Sequence, residues 1–208
     1  MTSEHDHWGL IFVLVGPPGA GKNTVMNRVL KDIPTLRQLA TATTRAMRPT
    51  EQEGREHYFM GRDEFEQMLA SNALLEHQII HGEFYGILRR PVEQAIATES
   101  DIIADIDVYG AEALRTNFPG NAVLVFVEPP SREALISRMQ ERGEGDDEIE
   151  KRMERVDMEM SHLIDCDYLI TNCDADDASA LLAAIVRAER SKREVRKRRA
   201  EKLAEQLA

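Results

Sequence analysis

Residues Ile11 to Val15 are all apolar, and they run straight into Gly16-Pro17-Pro18-Gly19-Ala20-Gly21-Lys22-Asn23-Thr24. An apolar run this short, closed by a glycine-rich turn, predicts a buried strand that ends at a loop. Gly16, Gly19 and Gly21 let the backbone through Ala20 turn tightly, so that several amide N–H groups converge. A helix starting near Lys22 adds the positive end of its dipole. Together these make a cradle for the phosphates of a nucleotide, with Lys22 reaching the β- and γ-phosphates. The pattern G-x-x-x-x-G-K-[ST] is met except at its last position, where Asn23 stands and Thr24 follows. Asn23 offers Mg²⁺ an amide oxygen where a hydroxyl is usual.

Further apolar, β-branched runs at 101–106, 122–127 and 168–171 read as buried parallel strands. Stretches with the longer helical period separate them, at 24–31, 93–100, 111–116, 132–142 and 178–190. The alternation predicts an α/β fold, a doubly wound parallel sheet with its cleft at the carboxyl ends of the strands. Residues 41–86, rich in Thr, Arg, Gly and aromatics, are too many for one crossover and predict an inserted lobe. Residues 131–154 predict a second insertion. There, arginines alternate with Gly143-Glu144-Gly145-Asp146-Asp147, a composition suited to a mobile lid over phosphates.

The formal net charge of −11 argues against general binding to nucleic acid or anionic membranes, so an anionic substrate must meet clustered arginines. The basic residues gather instead between Arg187 and Lys202, where nine Lys or Arg face three Glu. A solvated extension of the last helix, or docking onto an acidic partner or nucleic acid, would account for that segment. Cys166 and Cys173 lack matching partners for a zinc site and read as reduced thiols, which fits the cytoplasm. The start of the chain lacks a signal peptide's charge and apolar run, and His5 and His7 near it read as solvated. No stretch approaches a membrane span.

Four further segments complete a resemblance. Thr43-Thr44-Arg45-Ala46-Met47-Arg48, with Glu51 and Gly54, is similar to T-T-R-x-x-R-x-x-E-x-x-G. Leu75-Glu76, then Gly82-Glu83-Phe84-Tyr85-Gly86, is similar to L-E followed by G-x-x-Y-G. Asp105-Ile106-Asp107-Val108-Tyr109-Gly110 is close to D-I-D-x-Q-G. Pro129-Pro130-Ser131, then Arg138, Arg142-Gly143 and Arg152, matches an arginine-bearing lid. In order and spacing, from about Trp8 to Arg187, the chain resembles the guanylate kinases.

That resemblance implies a P-loop fold with an inserted lobe that binds a nucleoside monophosphate and a helical lid. It implies a core of residues 8–39, 100–130 and 155–187, a GMP-binding lobe of 40–99, a lid of 131–154 and a basic helical extension of 188–208. The implied reaction moves the γ-phosphoryl of ATP onto GMP or dGMP with Mg²⁺. ATP would lie on Gly16, Gly19, Ala20, Gly21, Lys22, Asn23, Thr24 and Asn172, and GMP on Thr41, Arg45, Arg48, His57, Glu76, Tyr85 and Asp105. Lys22, Arg138, Arg142 and Arg152 would carry the catalytic charge, with Asn23 and, through water, Asp107 at the metal. A monomer or a homodimer is expected.

The chemistry suits these residue types. Two arginines three residues apart grip phosphate oxygens bidentately. A carboxylate such as Glu76 accepts from guanine N1–H and the 2-amino group, a donor pair that adenine lacks. Several positions depart from the family pattern: Asn23, Thr41 for Ser, His57 for a phosphate-binding Tyr, Ile87 for a base-binding hydroxyl and Tyr109 for Gln. His57 beside a phosphate dianion would gain affinity for its proton and act as a third cation at low pH. Two other readings share parts of the pattern: a kinase for a different acceptor such as ribose 1,5-bisphosphate, and a non-catalytic module that binds a phosphorylated protein segment.

Overall fold

The computed structural model describes residues 8–80, 82–141, 143 and 145–207. Its centre is a five-stranded, all-parallel sheet of β1 (Ile11–Val15), β2 (Leu36–Gln38), β7 (Asp101–Asp105), β8 (Ala122–Glu128) and β9 (Tyr168–Thr171), in the order β2-β7-β1-β8-β9. Strand β1 is buried on both faces because successive side chains point to opposite sides. Leu10, Phe12 and Leu14 pack with α1 (Lys22–Asp32) and α7 (Ala175–Leu207). Ile11, Val13 and Val15 pack with α3 (Arg89–Ala97) and α4 (Val108–Asn117). Helices on both faces of a parallel sheet make the doubly wound architecture that the sequence predicts.

Between β2 and β7 the chain builds a second sheet of β3 (Thr41–Thr43), β4 (His57–Phe59), β5 (Leu74–Ile80) and β6 (Glu83–Leu88), in the order β4-β3-β6-β5. Phe65 of α2 (Arg62–Ala70) stacks on Phe84 at 5.1 Å between ring centres, in a small core with Ala42 and Leu74. After β8, α5 (Arg132–Glu141) and α6 (Asp146–Ser161) form a hairpin held by Leu135, Met139, Ile149, Met153 and Val156.

The basic segment has a place within the fold. Helix α7 continues unbroken to Leu207, and its Arg190 and Arg193 each reach the Asp101 carboxylate at 2.6 Å. Asp101 also accepts from the backbone N–H of Leu10 at 3.0 Å and is 4% exposed. Lys197 pairs with Glu99 at 2.6 Å, and Lys192 with Glu189 at 2.5 Å. Much of the positive charge gathered late in the chain is thus met by this chain's own carboxylates. Among the described residues, no helix is long and apolar enough to cross a membrane.

Candidate active site

The loop after β1 has the shape that the sequence demands. Gly16, Gly19 and Gly21 all hold positive φ, at 131°, 88° and 92°. A Cβ on Gly16 would lie 2.1 Å from the Val127 carbonyl oxygen, and one on Gly21 would lie 2.3 Å from Asn172 Nδ2. Gly21 precedes α1 without a side-chain cap, and the first turn of α1 carries no acidic residue. The amides there remain available to an anion. Lys22 Nζ lies over the loop, 2.5 Å from the Gly16 oxygen, 3.3 Å from the Pro17 oxygen and 3.8 Å from Asp105 Oδ1. Asn23 and Thr24 are exposed on the first turn of α1.

A cavity of about 300 Å³ lies where this loop and the carboxyl end of β7 face the second sheet. Gly16, Lys22, Asp105 and Asp107 line one side, and Thr41, His57, Glu76 and Tyr85 the other. Eight of the residues singled out in the sequence, spread over ninety positions, therefore meet around one space. Gln78 and Ile80 also line it and go unnamed in the sequence reading. The signal that could have found them is strand alternation, which sets residues 76, 78 and 80 of β5 on one face.

Electrostatics divide the cavity. Burial, and then the negative charge of Asp107, push the Glu76 carboxyl up to about 7. Burial also raises Asp105, against the pull of the Lys22 ammonium. Asp107 caps α4, its Oδ1 accepting from the Gly110 N–H at 3.0 Å. Arg45 donates from Nη1 and Nη2 to the two carboxylate oxygens of Glu51, at 2.9 and 2.8 Å, and from Nε to the Tyr85 hydroxyl at 3.2 Å. This pairing holds Glu51 down at about 2. Glu51 also accepts from the Arg48 backbone N–H at 2.8 Å, while Arg48 itself is exposed. Arg45 is thereby fixed one hydrogen bond from the cavity wall.

The sequence profile described as guanylate kinase matches residues 10–189 of this chain. The chain belongs to the guanylate kinase family. It is 42% identical over 196 residues to the guanylate kinase of Bradyrhizobium diazoefficiens, covering 94% of this chain and 90% of that protein. It is 39% identical over 202 residues to the guanylate kinase of Escherichia coli K12, covering 96% and 97%. The crystal structure of guanylate kinase from Anaplasma phagocytophilum superposes with a TM-score of 0.70 at 29% identity, over 88% of this chain and 87% of that one. The match to guanylate kinases runs through both sheets and the helical hairpin. It disfavours the sugar-bisphosphate kinase and the non-catalytic module.

Other residues singled out in the sequence take defined places in this guanylate kinase fold. Arg138 of α5 donates to the Ala20 oxygen at 3.3 Å and the Asn172 oxygen at 2.8 Å, which ties the hairpin to the phosphate loop. Asn172 is buried, its Nδ2 donating to the Ala20 oxygen at 2.7 Å, so its side chain braces the loop. Arg152 of α6 pairs with Glu148 at 2.9 Å. Arg142, His5 and His7 lie outside the described residues. Ile87 is 2% exposed and packed in the core, and Tyr109 is exposed. Cys166 and Cys173 are free thiols, with burial raising Cys166 to about 11.

His57 shares a 2.7 Å hydrogen bond from Nδ1 to Thr41 Oγ1 and packs edge-on to Tyr85. In the ligand-free protein, burial and then the Arg45 charge push its pKa down, so it starts neutral at pH 7. An arriving phosphate dianion should raise its affinity for a proton. Glu76 works in the opposite sense, since its carboxyl must lose a proton before it can accept from a guanine. With a starting value of about 7, its contribution is about a tenfold rise in the GMP KM from pH 8.5 to pH 6. Comparing the KM profiles of wild type and Glu76→Gln, with phosphate titration common to both, isolates this effect. Parallel profiles would contradict it.

Proposed function

We propose that this kinase transfers the γ-phosphoryl group of ATP to GMP or dGMP, giving ADP and GDP or dGDP. The observation that carries this reading is the single cavity that sets the Glu76 carboxylate opposite the Lys22 ammonium. Glu76 takes the guanine edge, with Asp105 on the exocyclic amine, and Arg45, Arg48, Tyr85, His57 and Thr41 take the monophosphate. ATP lies along the loop from Gly16 to Thr24, and Asn172 supports that loop from beneath.

Phosphoryl transfer needs alignment, neutralisation of charge and exclusion of water rather than covalent help. Lys22 neutralises charge on the β- and γ-phosphates. Arg138 and Arg152 of the α5–α6 hairpin, together with Arg142, supply positive charge to the transferred group, where one such charge is worth about 10³ to 10⁵ in rate. On this reading residues 40–99 are the GMP-binding lobe, 131–154 the lid and 188–208 a basic extension that continues α7. Oxygen donors at Asn23, Thr24 and Asp107 suit Mg²⁺, which binds through few protein ligands and the substrate phosphates. Bound there, Mg²⁺ would supply further neutralisation of the phosphate oxygens. The two free thiols suit a reducing cytoplasm.

The test is product analysis with Mg·ATP and GMP, dGMP, UMP, CMP or ribose 1,5-bisphosphate. ADP and GDP should form one for one, with dGDP from dGMP, and with inorganic phosphate at trace level. Turnover confined to the sugar bisphosphate, or ADP matched by inorganic phosphate, would overturn the reading.

A further inference from the structure

Strand β5 turns Glu76 and Gln78 to the same face, toward the cavity. The Nε2 nitrogen of Gln78 is buried, with only the Glu76 carboxylate beside it and no hydrogen bond of normal geometry. A buried amide N–H without a well-formed partner is uncommon, and because the Gln78 side chain lines the cavity, a rotation of its carboxamide would bring that N–H to an acceptor on a ligand there. The carboxamide lies beside Glu76, close enough to favour the charged form of that carboxylate, though without a hydrogen bond of normal geometry.

The neighbouring groups leave a gap in the donor set. Ile87, the cross-strand partner of Glu76, is aliphatic and lies 3.0 Å from where a Cβ on Gly110 would stand. Asp105 and Asp107 present carboxylates, and the Tyr85 hydroxyl accepts from Arg45. The edge of guanine presents, in order, the O6 acceptor, N1–H and the 2-amino group. A carboxylate satisfies the last two and leaves O6 in need of a donor.

We propose that Gln78 is a base-binding residue, donating from Nε2 to guanine O6 while Glu76 accepts from N1–H and the 2-amino group. This rests on the reading of the acceptor as a guanine nucleotide. The carboxamide replaces, from β5, the hydrogen bond that Ile87 cannot supply from β6. Gln78 thereby orients the base and adds affinity, and rejection of adenine stays with Glu76.

Gln78→Met keeps length and apolar volume but removes the donor. Three acceptors separate the two edge contacts: GMP, 6-thio-GMP with a weakly accepting sulfur at position 6, and IMP without the 2-amino group. Wild type should prefer GMP over 6-thio-GMP by about tenfold. Gln78→Met should raise the GMP KM about tenfold with kcat nearly unchanged, and bring the GMP to 6-thio-GMP ratio close to one. The GMP to IMP ratio, which reports Glu76, should stay as in wild type, as should the melting temperature. A GMP KM within twofold of wild type, or a parallel loss of both ratios, would overturn the role of Gln78 alone. A wild-type enzyme that ignores GMP would overturn the acceptor reading and this role with it.

Discussion

Replacing Lys22 with Ala is expected to lower kcat by about 10² to 10³-fold, the usual effect of removing one preorganised charge from a transition state. The ammonium is in position before any substrate arrives, bonded to the Gly16 and Pro17 carbonyl oxygens at 2.5 and 3.3 Å. On the proposed reading phosphate oxygens replace those carbonyls, so ATP finds the charge aimed rather than having to gather it. Gly16, Gly19 and Gly21 can hold their positive φ without a side chain's help, and the helix after them keeps its free amides. The variant should therefore fold and still bind ATP, with the loss falling mainly on kcat. Its effect on Asp105, 3.8 Å from the ammonium, is a further rise in that carboxyl's pKa. Steady-state kinetics with Mg·ATP and GMP check this, alongside a thermal melt. Retention of more than about a tenth of the wild-type rate would remove Lys22 from the chemistry.

Much of this arrangement was legible in the sequence because it is local. The strand, turn and helix around Gly16 to Thr24 are specified by contiguous residues, so β1 and α1 follow from them almost residue by residue. The runs that became β7 and β8 were equally plain, since a strand covered on both faces is apolar at nearly every position, whereas β9 is an edge strand with Leu169 and Thr171 exposed. Strand β2 was not plain, because it has three residues on the sheet edge, with Arg37 exposed. The helical continuation to Leu207 was expected, but the partners of its charges were not. Its basic residues look solvated until the fold brings Asp101 and Glu99, some ninety residues away, against them.

The cavity was legible as a residue set but not as an electrostatic object. Spacing alone cannot show that Glu51 clamps Arg45, that Asn172 braces the phosphate loop or that Gln78 lines the cavity. His57 shows the limit most clearly. Its residue type suggests a cation, yet burial and the nearby Arg45 lower its pKa and favour the neutral ring.

Selection of the base should be the largest effect in the protein, with kcat/KM for GMP exceeding that for AMP by about 10⁴-fold or more. The reason is asymmetry. Guanine offers two donors to the Glu76 carboxylate, whereas adenine offers none at N1 and would leave a buried charge unpaired. Glu76→Gln keeps the shape but turns one oxygen into an N–H₂ group that opposes the 2-amino group of guanine and suits adenine N1. The ratio should then fall by at least about 10², from charge-assisted bonds worth about 1.5 to 3 kcal/mol each. Since the folded protein already disfavours the ionised carboxylate, with a pKa of about 7, this substitution should not weaken the fold. The decisive measurement is kcat/KM for GMP and AMP side by side, in wild type and Glu76→Gln, at pH 8. A ratio near 10⁴ that collapses in the variant is the predicted result. A wild-type ratio near one, or a large ratio that survives in Glu76→Gln, would contradict the assignment of Glu76 as the group that reads the base.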